Sequence, residues 1–156
     1  MKRNDAVPSA TALRQVGGLA IAAGSLLVAV GAGAWLTVSK QLRDEKIEVP
    51  GNAPVLKGKR VQGPATAYVE ALVIKGNAER GAGGRTFADI SAALRGVDAS
   101  SDEAGELRKQ SLALSTAASL RTSLLTSVLA FGVSAFVTGL GAFFVIVGSI
   151  LRRAER

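Results

Sequence analysis

The stretch GNAERGAGGRTFAD, Gly76 to Asp89, carries four glycines and two arginines and runs into a helix-like pattern. Such a composition could cradle a phosphate, because glycine-rich turns present backbone N–H groups and arginine adds charge. The spacing fits neither motif it suggests. With Gly84-Arg85-Thr86 at the end of a Gly-x4-Gly-Lys-Ser/Thr loop, Glu79 falls where the first glycine belongs and Arg85 replaces the lysine. A dinucleotide fingerprint starting at Gly81-Ala82-Gly83 needs glycine or alanine at position 86 and meets threonine. The pattern predicts a flexible joint between two short helices.

Other chemistry is limited by residue type. The chain has no histidine and no cysteine. Histidine acid–base catalysis, Ser-His-Asp triads, thiol nucleophiles, zinc sites and the two-histidine iron triad therefore cannot be assembled from it alone. The carboxylate pairs Asp44-Glu45 and Asp102-Glu103 lie at predicted helix ends among lysines and arginines, where they read as caps and solvated charges. The expectation is no catalytic, cofactor-binding or metal-binding residues, no cofactor and no enzymatic activity.

The elements around these residues are dominated by two apolar runs. Residues 15–39 and 122–151 hold 25 and 30 residues without a charge, and roughly 20 suffice to span a bilayer. For the first run there is a rival reading, a secretory signal cleaved after Ala34, since Lys2 and Arg3 precede it and Ala32-Gly33-Ala34 resembles a small-residue cleavage site. Against it, the run exceeds the usual signal core of about 7 to 15 residues and continues through Trp35, Leu36 and Val38.

Charge sets the expected orientation. The tails carry Lys2, Arg3, Arg14, Arg152, Arg153 and Arg156 against Asp5 and Glu155, so they hold +4 of the total net charge of +7. The positive-inside tendency puts both in the cytoplasm and residues 40–121, with 13 basic against 10 acidic residues, outside. A pI of 10.4 suggests nucleic acid, but the excess charge flanks the spans and no aromatic-basic surface accompanies it.

The predicted fold is mainly α and integral to a plasma membrane: a two-span antiparallel transmembrane hairpin with a small, mostly helical extracytoplasmic region. Its parts are a basic tail at 1–15, spans at 16–39 and 122–151, an outer region at 40–121 and a second basic tail at 152–156. Within the outer region, 47–63 reads as loop with at most one small hairpin, because Pro50, Pro54 and Pro64 alternate with Gly51, Gly58 and Gly63. Short helices follow at about 64–80, opened by Pro64, and at about 86–95, capped by Thr86 with Asp89. Ser100 with Glu103 repeats the capping signal, and one long helix is expected from about 102 to 151. Val55, Leu56, Tyr68, Leu72, Val73, Phe87, Ile90 and Leu94 are the expected outer core, packing against the ends of the spans.

Small residues mark the expected helix-packing interface. Gly17, Gly24 and Gly31 recur every seven residues, Ser25, Ala29 and Gly33 every four, and Gly132, Ala135 and Gly139 repeat the pattern in the second span. Trp35 is the expected membrane-interface anchor, and Phe143 and Phe144 are expected to face lipid. Lys57, Lys59 and Arg60 are candidates for contact with anionic head groups. No charge lies inside either span, which argues against a proton relay.

The runs Gln41-Leu42-Arg43-Asp44-Glu45-Lys46-Ile47, Gly63-Pro64 followed by Ala67-Tyr68, and Thr126 to Gly132 resemble a family of small actinobacterial membrane proteins of unknown function. The resemblance implies two spans with an extracytoplasmic loop over most of residues 30–150. Members often bear the label aromatic ring-opening dioxygenase, which implies an iron site with histidine ligands that this chain cannot build. A histidine often found before the glycine-rich joint in such proteins is missing from KGNAERGAGG, so its role does not carry over.

The leading functional expectation is an accessory or scaffold subunit in the lipid bilayer, partnered with another membrane protein or with itself and not with nucleic acid. The alternatives are a homo-oligomeric pore or small-solute transporter, suggested by Ser123, Thr126, Ser127, Ser134 and Thr138, and a cell-envelope sensor or lipid binder.

Overall fold

The computed structural model describes residues 10–153. Among them are four helices and no strand: α1 (Ala10–Asp44), α2 (Pro64–Gly81), α3 (Phe87–Leu94) and α4 (Asp102–Arg153). Lys2, Arg3, Asp5, Glu155 and Arg156, which enter the orientation argument, lie outside the described residues. α1 and α4 are each long and apolar enough to cross a membrane.

Local chemistry accounts for the helix ends. α1 stops at Asp44, after which Lys46 takes φ 55° and Pro50 bars any continuation. Pro64 opens α2, where its missing N–H costs nothing. The Thr86 hydroxyl accepts the Asp89 N–H at 3.3 Å while the Asp89 carboxylate accepts the Thr86 N–H at 2.8 Å, a reciprocal cap on α3. These bonds hold the Asp89 carboxyl below its ordinary range, the Thr86 backbone N–H contributing most. At α4 the expected cap moves by one residue. Ser101, not Ser100, receives the Ala104 N–H at 3.1 Å, because Ser100 is turned onto the Asp98 carboxylate at 2.6 Å. Asp102 and Glu103 begin α4 and Arg152 and Arg153 end it, each sign at the favourable end of the helix dipole.

The chain divides into two compact units, Met1–Thr37 with Ala130–Arg156, and Val38–Leu129. The first contains the facing parts of α1 and α4.

The second unit contains α2, α3, the start of α4 and the loop from Ile47 to Gly63. Its loop carries a single antiparallel bridge, Glu48 to Arg60, flanked by Val49 N–H to Lys59 O and Val61 N–H to Ile47 O, both at 2.9 Å. The core of this unit differs from the expected set. Ile90 and Val73 are buried, but Val55, Leu56, Tyr68, Leu72 and Phe87 are exposed and Leu94 only half-buried. Leu42, Val49, Val61, Ala67, Ala71, Ala82, Leu107 and Leu114 fill the interior instead. The reason lies in α2, whose inward face carries Ala67, Val69, Ala71 and Val73 and whose outward face carries Tyr68 and Leu72.

Candidate functional site

The glycine-rich turn answers the phosphate question by its hydrogen bonds. Ala82 N–H donates to Ala78 O, Gly83 N–H to Arg80 O, Gly84 N–H to Glu79 O, Arg85 N–H to Ala82 O, and Thr86 N–H to the Asp89 carboxylate. Five successive donors are thus spent within the chain, so none is left to converge on an anion. Gly83 and Gly84 adopt φ 65° and 79°, which ends α2 in a left-handed turn that glycine alone takes without strain. The stretch joins two short helices, α2 and α3, as expected, through a hydrogen-bonded turn. Among the described residues no cluster of carboxylates is arranged to hold a metal ion.

The small-residue candidates separate into two groups. A Cβ added to Gly17 would sit 2.8 Å from the Gly148 carbonyl oxygen, one on Gly24 2.5 Å from that of Gly141, and one on Gly31 2.8 Å from that of Ser134. From the opposite side, a Cβ on Gly141 would meet Gly24 O and one on Gly148 would meet Gly17 O, both at 2.6 Å. Numbers rise on α1 as they fall on α4, so the segments run in opposite directions with a seven-residue step on each. That step repeats every two turns and keeps one face of each helix on the other. Backbone meets backbone here, gaining dispersion and Cα–H···O contacts.

Ser25, Ala29, Gly33, Gly132, Ala135 and Gly139 lie elsewhere. All six are exposed, and a Cβ added to Gly33, Gly132 or Gly139 would meet nothing within 4 Å. The residues that complete the close face on α4, Ser134, Gly141 and Gly148, lie outside the expected packing set. A signal existed: they form a three-member seven-residue series matching that of α1, while Gly132 and Gly139 form only a pair. Trp35 packs edge-on against Phe131 with ring centroids 4.6 Å apart, and Phe131 is buried. Phe143 and Phe144 are exposed and pack edge-on to each other.

Lys57, Lys59 and Arg60 stand on an exposed turn in which Leu56 is held at φ 59°. Arg60 lies 3.7 Å from Glu48. Asn52 ties the same loop to α2 through a 2.8 Å bond to Asn77.

In α2, Glu70 is only 6% exposed and its Oε2 has no hydrogen-bond partner. Burial pushes its carboxyl above the ordinary range. A raised folded-state pKa lends stability below the ordinary carboxylate value, and that stability is lost as pH rises through the raised value. Glu70→Gln is therefore expected to flatten the decline in melting temperature as pH rises above the ordinary carboxylate range. An unchanged pH profile in this variant would mean the carboxylate is compensated in the folded chain.

A long groove runs between α2 and α4 in the second unit, with a volume of about 790 Å³. Ile74 and Ala78 form one wall, and Leu112, Ala113, Ala117 and Leu120 the other. Lys109 and Gln110 line one end, where Gln110 accepts from Arg85 and Lys109 reaches Glu106, both at 2.7 Å, and Thr116 lies among the apolar residues of the α4 wall.

Fold and surfaces together define a mainly helical protein with two helices long and apolar enough to cross a membrane. The chain matches no family model, no curated protein and no solved structure.

Proposed function

We propose that the protein is a non-enzymatic two-span membrane protein, akin to the actinobacterial family it resembles, that serves as an accessory or scaffold subunit of a larger plasma-membrane assembly. α1 and α4 form a transmembrane hairpin, both termini are cytoplasmic, and residues 40–121 face outward. The most apolar windows of the two helices are only 11% and 17% buried within the chain. A core helix of a water-soluble protein would hide such a surface, so lipid is the fitting solvent for it.

The observation that carries the scaffold role is the division of the small residues. One series, Gly17, Gly24 and Gly31, is consumed in pairing α1 with α4, and a second, Ser25, Ala29 and Gly33 with Gly132, Ala135 and Gly139, is left uncovered. Two smooth helix faces open to the bilayer suit close approach by helices of another membrane protein. The pore alternative gains less support, since Ser127, Ser134 and Thr138 each donate their hydroxyl to a carbonyl of their own helix four residues back.

The test is crosslinking in native membranes, capture in mild detergent and mass spectrometry of what accompanies the chain. Wild-type protein should bring down one larger membrane assembly in fixed stoichiometry. Gly33→Leu with Gly139→Leu should lose most of it while the α1–α4 pair persists. Recovery of this chain alone would remove the scaffold reading.

A further inference from the structure

The geometry points to the α2–α4 groove as a binding site for a single-chain anionic lipid, its acyl chain lying along the groove and its head group at the Lys109–Gln110 end. The volume of about 790 Å³ falls among small-molecule sites, which run to about 300–1,000 Å³. From Gln110 to Leu120 the α4 wall is about 15 Å long at 1.5 Å per residue. Leu112 is 67% exposed and Leu120 50% exposed along it. In a region that stands in water, those leucines gain from an apolar cover.

What selects an amphiphile is the charge at one end only. Arg85 bonds to the groove residues Ala82 and Gln110, and among the described residues it has no carboxylate within 4 Å. Lys109 lines the same end, its ammonium matched by Glu106 at 2.7 Å. A guanidinium at the mouth of the groove fits a carboxylate or phosphate head by bidentate hydrogen bonding. The other end, between Ile74 and Leu120, has no charged lining. A partner helix would not need this polarity, whereas a fatty acid has it.

The site rests on the outward, water-facing placement of residues 40–121 and not on the scaffold role. The experiment uses the full chain in phosphatidylcholine nanodiscs with a diazirine-bearing palmitate, photolysed and mapped by mass spectrometry. Adducts are expected within 74–82 and 112–120. Unlabelled palmitate should compete, with hexadecanol at least tenfold weaker. Lengthening the competing acid by two carbons should strengthen competition about tenfold until the groove is filled. Ala117→Trp should reduce the adducts at least tenfold, and Arg85→Gln about tenfold, at unchanged melting temperature. Adducts confined to 16–39 and 122–151, labelling indifferent to Ala117→Trp, or disulfide-linked dimers of Ala117→Cys would each overturn the site, the last by showing a second copy there. Capture of partner proteins reads out the scaffold role separately, so failure of one leaves the other standing.

Discussion

Gly24→Ala is expected to pull α1 away from α4. The new methyl group would sit 2.5 Å from the Gly141 carbonyl oxygen and 2.9 Å from the Val145 backbone nitrogen. Both are backbone atoms, which cannot rotate aside as a flexible side chain would, so the helices must separate. Separation also loosens the neighbouring steps at Gly17–Gly148 and Gly31–Ser134. Overpacking of this kind costs about 1–3 kcal/mol, and leucine at the same position costs more. Gly141→Ala should behave alike, because its Cβ would strike Gly24 O at 2.6 Å. Gly33→Ala and Gly139→Ala meet open space, and each should leave the pair intact or strengthen its helix by up to about 1 kcal/mol. Trp35, the one tryptophan in the chain, packs against Phe131 across the pair, so its fluorescence during unfolding in mixed micelles reports the separation. A wild-type transition in Gly24→Ala would mean that the two helices do not pack by this face.

Ile90→Ala is expected to undock α3. Ile90 is 0% exposed and sits in a cluster with Ala82, Leu107 and Leu114, with Ala78, Ala93, Leu94 and Val97 packed around it. It is also the one fully buried side chain that α3 offers. A helix of eight residues is too short to persist on its own propensity, so its place depends on that anchor. Truncation to alanine removes apolar contacts and leaves a cavity, a loss of about 2–5 kcal/mol. The amides of 87–94 should lose hydrogen-exchange protection before the rest of the second unit. Phe87→Ala, at an exposed position, should change stability by less than about 0.5 kcal/mol. Persistent protection of α3 in Ile90→Ala would show that the Thr86–Asp89 cap alone holds it.

Much of the helical layout was legible because its signals are local. Two long charge-free runs, Pro64 at the start of α2, Thr86 with Asp89 before α3 and the acidic pair at 102–103 each act within a turn of their own position. Packing was less legible, because it depends on which face of one helix meets which face of another. Gly17 and Gly33 look alike in a sequence, and only the register with Gly148 gives the first a neighbour and leaves the second bare. Tyr68 and Leu72 illustrate the same point: large apolar residues suggest a core, yet the face that α2 buries is the one carrying Ala67, Val69, Ala71 and Val73. The Ser100–Ser101 shift is smaller in scale. Two adjacent serines compete for one cap, and the Asp98 carboxylate settles which is free to serve. No sequence motif marks the α2–α4 groove, since its walls come from segments more than thirty residues apart and consist mostly of common apolar side chains.

The register of α1 on α4 has a consequence in time. Gly17 faces Gly148, so 131 residues must be added to the chain after the first glycine is made before its counterpart exists. At about 5–20 residues per second, a ribosome takes on the order of 10 s to supply them. During that interval the face of α1 that fits α4 is without its counterpart. Pairing of α1 with its own late-arriving α4 must therefore wait until the whole of the second unit, Val38–Leu129, has been made, so the translation time of that unit sets the earliest moment at which the two helices can close.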